Sequence, residues 1–117
     1  MDLEIKPQIT EGILVLRLEG ELDTYNCGQL RSAIVENVDK GYNRIVVDMM
    51  AVEYIDSTGL GSLVGGLKRV SERGGSMRLV CENPQILKIF EITGLDRVFS
   101  IHRTEAEALK AALAAAG

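Results

Sequence analysis

The chain has no tryptophan and only 4% aromatic residues, three Tyr and two Phe. Single-stranded nucleic acid is usually held on aromatic stacking platforms, and this sequence has little to build one from. It also lacks an excess of positive charge. Thirteen Lys and Arg against seventeen Asp and Glu leave a net charge of −4. That balance argues against a broad basic surface for nucleic acid or anionic lipid, so neither direct nucleic-acid binding nor membrane binding is expected. No apolar run approaches the roughly 18 residues of a membrane span. The opening Met1-Asp2-Leu3-Glu4-Ile5-Lys6 has neither the basic start nor the apolar core of a signal peptide, so a cytoplasmic location is expected. Cysteine is scarce. Cys27 and Cys81 are too few for a disulfide scaffold and form no C-x-x-C, and they read as two reduced thiols. With His102 as the one histidine there is no ligand cluster for a metal, and no cofactor is expected.

What remains is an ordinary domain. The 117 residues allow one core and not two. The 46% apolar and 26% charged content is that of a soluble globular protein. Residues 1–117 are therefore read as a single domain, with the last Ala-rich residues expected to fray.

Strand and helix patterns alternate along the chain. Residues 13–18 form a strong strand candidate with Leu14, Leu16 and Leu18 on one face, and residues 3–9 pair with it through a turn at Thr10-Glu11-Gly12. Gly20-Glu21-Leu22-Asp23 is expected to be a short crossing strand or loop. From Asn26 the period becomes helical, with Leu30, Ala33, Ile34 and Val38 on one face. Asn26 and Gln29 have capping-box spacing, and Gly41 is a stop. Residues 45–49 are a continuous apolar run suited to a central strand. A six-residue connection is expected next. Leu60, Leu63, Val64, Leu67 and Val70 then mark an amphipathic helix that ends at Gly74-Gly75. Residues 77–81 are the next strand. Asn83-Pro84 opens a helix with Ile86, Ile89 and Phe90 inward and Gly94 as its stop. Residues 98–101 are a last short strand. Thr104 and Glu107 box the start of a final helix with Leu109, Ala112 and Leu113 inward. The order predicts an α/β fold: a mixed, mostly parallel sheet of four to five strands with about four helices packed on it.

The chemistry-bearing stretch is Tyr54-Ile55-Asp56-Ser57-Thr58-Gly59-Leu60-Gly61, which opens the second helix. Asp56 or Ser57 can cap it. Ser57 and Thr58 offer hydroxyls, and Gly59 and Gly61 allow close approach of the backbone. A capped helix packed tightly on a sheet accounts for these residue types. The sharper reading is an accessible phosphorylation site, since a phosphate there would meet free N–H groups and the positive end of the helix dipole. The Gly59, Gly61 and Gly65 spacing is not a dinucleotide fingerprint, because position 64 is Val and the glycines fall inside the helical period; close helix–sheet packing explains them. No phosphate loop is present. A serine hydrolase reading has Ser57 and a lone His102 but no Gly-x-Ser-x-Gly. Asp48 could pair with Asp56, although a role accepting backbone N–H groups suits it better.

These residues resemble the anti-sigma factor antagonists of the STAS-domain family. The resemblance spans nearly the whole chain and rests on Gly20-Glu21-Leu22-Asp23, on Asp56-Ser57-Thr58-Gly59-Leu60-Gly61 and on Ile92-Thr93-Gly94-Leu95. It implies a partner-switching protein without catalytic activity. The unphosphorylated form would bind an anti-sigma factor that is also a serine kinase, and so free a sigma factor. The kinase would spend ATP to phosphorylate Ser57, with Thr58 as second choice. A metal-dependent serine/threonine phosphatase would reset the cycle. ATP belongs to the kinase, and this chain needs no cofactor of its own. Asp23 is implied to lie close to Ser57 and help dock the kinase, on a partner surface with Asp56, Ser57, Thr58, Gly59 and Gly61.

Three other readings compete. A STAS-like accessory subunit of a transport or signalling complex would need no phosphorylation cycle. An enzyme with Ser57 as nucleophile lacks a base. A nucleotide-binding module lacks its phosphate loop.

Overall fold

The computed structural model describes residues 2–115. In chain order the elements are β1 (Leu3–Thr10), β2 (Ile13–Leu22), α1 (Cys27–Asp39), β3 (Arg44–Ile55), α2 (Ser57–Glu72), β4 (Ser76–Val80), α3 (Pro84–Thr93), a 3-10 turn (Leu95–Arg97), β5 (Ser100–His102) and α4 (Glu105–Ala114). The five strands form one sheet in the order β1-β2-β3-β4-β5. β1 and β2 are antiparallel, and the other three pairs are parallel. Each parallel step moves the same way across the sheet. Right-handed crossovers then place α1, α2 and α3 on one face. Their buried residues join Leu14, Leu16, Leu18 and Val47 in the main core. α4 covers the opposite face, where Ala108 and Ala112 meet Ile13, Val15, Val46 and Val80. β2 and β3 are thus sandwiched, which is why their sequences read as continuous apolar runs. Among the described residues no helix is long and apolar enough to cross a membrane.

Several boundaries differ from the sequence reading. The expected connection after Met49 is strand: β3 runs to Ile55 and pairs with β2 as far as Leu22. Irregular register between Arg17 and Glu19, and between Gly20 and Glu21, breaks the two-residue alternation there and hides the strand. The segment from Gly20 is the end of β2. Asn26 is the N-cap residue of α1 but its side chain makes no cap bond; its Oδ1 accepts the Asp23 N–H at 2.9 Å and its Nδ2 donates to the Glu21 carbonyl at 2.7 Å. The last strand starts at Ser100, because the N–H groups of Val98 and Phe99 are spent on the Leu95 carbonyl. In α4 the buried residues are Ala108 and Ala112, while Leu113 is exposed. The alanines let a short helix sit close on the strands. Ala33 is only half-buried and Val64 is exposed. The expected ends at Asn83, Gly94 and Thr104 are in place, with Asn83 Oδ1 and Thr104 Oγ1 accepting N–H groups from Gln85 and Glu107. The fraying expected of the last residues falls on 116–117, outside the described residues.

Of the glycines expected to pack closely in α2, Gly59 does so and Gly61 and Gly65 do not. A Cβ on Gly61 or Gly65 would meet nothing within 4 Å, and both lie on the outer face. Gly59 and Gly66 make the close approaches. A Cβ on Gly59 would lie 2.5 Å from the Leu22 carbonyl oxygen, and one on Gly66 2.6 Å from Ile34 Cδ1. The Gly66 neighbours are side-chain ends that can move, whereas the Gly59 neighbour is ladder backbone.

Gly65→Ala should therefore stabilise the protein by about 0.5–1 kcal/mol through helix propensity. Gly59→Ala should destabilise it by about 1–3 kcal/mol, because the strand must shift. Urea unfolding of the two variants beside the wild type checks both signs.

Candidate functional site

β3 ends at Ile55, and α2 begins two residues later. Between them Asp56 has an extended backbone (φ −107°, ψ −177°) and serves as the N-cap. Its Oδ1 accepts the Gly59 N–H at 2.9 Å and the Thr58 hydroxyl at 2.6 Å. Its Oδ2 faces the turn after β2, accepting the Thr24 N–H at 3.1 Å and the Thr24 hydroxyl at 3.3 Å. The Thr24 and Thr58 hydroxyls are 3.0 Å apart. The Asp56 N–H itself donates to the Leu22 carbonyl at 3.2 Å. One carboxylate therefore joins the start of α2 to the start of α1. The Thr58 hydroxyl, then the Gly59 N–H and the two Thr24 donors, hold its pKa below the usual Asp value.

Ser57 is the first residue of α2 and is exposed. Among the described residues its hydroxyl has no hydrogen-bond partner. Thr58 is also exposed, but its hydroxyl is engaged on both sides, by Asp56 and by Thr24. Gly61 continues the outward face of α2 from Ser57, four residues on, while Gly59 is turned to the sheet. Asp23, which the resemblance implies to lie close to Ser57 and help dock a kinase, follows the end of β2. It is 7% exposed, and its Oδ1 accepts the N–H groups of Tyr25 at 2.9 Å and Asn26 at 3.3 Å. It shapes the turn that carries Thr24 to Asp56. Thr24 is not legible as a site residue in the sequence. Its contact spans 32 positions, and an isolated threonine after an Asp carries no pattern that would reveal it.

The other chemistry-bearing residues lie elsewhere. His102 is on β5, two strands from β3, with Nε2 3.3 Å from Arg78 Nη1. Burial, then the Arg78 charge, lowers its pKa. Both cysteines are free and buried. Among the described residues no three His, Cys, Asp or Glu side chains gather to hold a metal ion.

Asp48 pairs with Glu105 and not with Asp56, and its Oδ1 accepts the Met50 N–H at 2.9 Å. Arg17 grips Glu105 with Nη2 at 2.6 Å and Nε at 2.9 Å. Burial and the neighbouring Glu105 carboxylate push Asp48 up to about 6, while Arg17 and Asp48 hold Glu105 down at about 2.

The STAS domain profile matches residues 4–108. The anti-sigma F factor antagonist of Paenibacillus polymyxa is 30% identical over 110 residues, covering 93% of this chain and 94% of that protein. The anti-sigma-B factor antagonist of Bacillus subtilis is 32% identical over 101 residues, covering 86% and 92%. Among solved structures, an anti-sigma factor antagonist from Mycobacterium paratuberculosis superposes with a TM-score of 0.87 at 26% identity, covering 95% and 94%. The Bacillus cell fate determinant SpoIIAA in its phosphorylated form superposes with a TM-score of 0.71 at 26% identity, covering 93% and 97%.

The carboxyl pair sets a pH dependence. Asp48 holds its proton more tightly folded than unfolded, so its stabilising contribution is complete below its ordinary value of 3.8 and is lost as pH rises through about 6. Glu105 acts with opposite sign and in a lower window, below its ordinary 4.5. Asp48→Asn keeps an acceptor for Met50 and gains a donor for Glu105. It should be more stable than wild type at pH 8, by on the order of 1 kcal/mol after solvent screening of the half-open site. The gap should close toward pH 4 in urea titrations at the two pH values.

Proposed function

The chain belongs to the STAS-domain family, and on that footing we propose that it is a cytoplasmic anti-sigma factor antagonist, a binding protein without catalytic activity of its own. Its unphosphorylated form binds an anti-sigma factor serine kinase and so frees a sigma factor. The kinase transfers the γ-phosphoryl group of ATP to Ser57 Oγ, whose proton is lost and ADP is released. A metal-dependent serine/threonine phosphatase hydrolyses the ester and restores the binding form.

The observation that carries this reading is the state of the two hydroxyls at the start of α2. Ser57 Oγ is exposed and, among the described residues, without a hydrogen-bond partner, whereas Thr58 Oγ1 is held between Asp56 and Thr24. A kinase reaches the first without breaking anything, but must break the cap network to reach the second. Ser57 is therefore favoured over Thr58 as acceptor. The names of the relatives, anti-sigma F and anti-sigma-B factor antagonists, support the partner class.

The switch follows from charge. Phosphoserine carries about −1.5 to −2 at neutral pH. The helix dipole stabilises an anion at this end by only about 0.3–1 kcal/mol, and Asp56 already occupies it. The new dianion stands beside an ionised carboxylate, so in a partner interface it meets repulsion and loses its water. An uncompensated interfacial charge costs several kcal/mol, roughly, and about 1.4 kcal/mol is tenfold in affinity. Binding should fall by roughly two decades or more while the fold stays the same. Asp23 contributes by shaping the turn behind Asp56, and Gly61 by leaving the α2 face low beside Ser57.

Incubation with the cognate kinase and ATP should add a single phosphate to the wild type and none to Ser57→Ala, read by intact-mass spectrometry. Transfer to Thr58 would overturn the choice of acceptor, and no transfer at all would favour an accessory subunit. In calorimetry with the same kinase, Ser57→Ala should bind as the unmodified protein does and Ser57→Asp at least tenfold more weakly. NMR shift changes on phosphorylation should stay near the start of α2; changes spreading through α4 would contradict a purely local effect.

A further inference from the structure

α4 covers only half of its sheet face. Its first residue, Glu105, is pinned to Arg17, and its far end lies at Arg44, whose Nη1 is 3.5 Å from the Ala112 carbonyl. Beyond the paired Arg17 and Asp48, β2 and β3 run on together to Leu22 and Ile55, with Glu19 opposite Ala51 and Glu21 opposite Tyr54. β4 has already left, since Asp48 with Val80 is its last pair with β3. On the inner side of this tongue Leu22, Val52 and Ile55 are buried. Among the described residues no helix lies over the outer side. Tyr54 is 50% exposed and Met50 48%, and Tyr25 in the turn after β2 is 91% exposed. In a chain with five aromatic rings, two stand in solvent at this one end.

The charge there is net negative: among the described residues Glu21 and Glu53 are free, while Lys6 of β1 meets Glu19 at 3.1 Å and Arg17 is taken up by Glu105. Residues 18–30 and 45–67 contain Glu19, Glu21, Asp23, Asp48, Glu53 and Asp56 and no Lys or Arg. An exposed aromatic and methionine patch within an acidic rim has the composition of a binding surface and not of an ordinary face. Its charge repels nucleic acid, anionic membrane, and a second copy meeting it through the same surface. We propose that this bare tongue docks a basic amphipathic helix of a partner protein. The apolar stripe of that helix lies on Tyr54 and Met50, and its Lys or Arg side chains meet Glu21 and Glu53. Such a helix completes the layer that α4 begins, as α/β sheets are covered by helices on both faces. Tyr54 is the anchor, being a large ring at the middle of the patch. The surface adds to the Ser57 switch and does not depend on it.

The test uses a fluorescein-labelled 18-residue helix of Leu, Lys and Arg with a single apolar stripe, and a scrambled peptide of the same composition. Anisotropy at low salt should show the striped helix binding the full chain at least tenfold more tightly than the scrambled one. Tyr54→Ala and Glu21→Lys should each weaken it by about tenfold or more, and Tyr54→Phe should hold it. Amide shift changes should gather at residues 19–25 and 50–54. Equal binding of the scrambled peptide, wild-type affinity in folded Tyr54→Ala, shift changes centred on α1 and α2, or no binding would each overturn the proposal. Thermal melts establish that the variants fold, and Glu21→Lys carries the test should Tyr54→Ala fail to. No kinase or ATP enters this experiment, so its failure is separable from failure of phosphoryl transfer to Ser57.

Discussion

The Asp56 carboxylate is the constraint on which the site depends. Four donors converge on its two oxygens, two from the start of α2 and two from the turn leading into α1. The sheet ladder supplies the rest of the frame: the Asp56 N–H closes on Leu22, and Gly59 lies flat against the same carbonyl. A side chain at position 59 would push α2 off the strand and pull the cap away from Thr24. The position of Ser57 is therefore set by backbone that is itself fixed, while its own hydroxyl is left unengaged. A modifiable group on a rigid mount can change its charge without asking the fold to adjust.

Much of this was legible in the sequence where the determinants were local. The cap at Asp56, the stops at Gly94 and the starts at Asn83 and Thr104 depend on residues within a few positions of one another, and these appear as expected. The extension of β3 past Met49 was not legible, because two register irregularities scramble the alternation that marks a strand. Asp23 and Asn26 are buried and satisfied within their own turn, by groups two to five residues away, and the residue types alone do not tell such a turn from an exposed one. The glycines of α2 follow the same rule: which ones touch the sheet depends on the rotation of the helix, and that is set by Leu60, Leu63 and Val70.

The two sheet faces serve different ends. Three helices seal one of them into the main core. The other carries a single short helix, held at its start by Arg17, Glu105 and Asp48. Two carboxyl groups in contact are an unusual way to seat a helix. The guanidinium makes it workable by keeping Glu105 ionised, while Asp48 holds its proton only below about pH 6.

Spatial order in the sheet repeats chain order from β1 to β5. A nascent polypeptide emerging from the ribosome can therefore lay down each strand against the one just made, with none left waiting to be threaded between others. The strip of Ile13, Val15, Val46 and Val80 is the exception, since it stays wet until α4 arrives. During synthesis that strip is the place where a chaperone has most to shield.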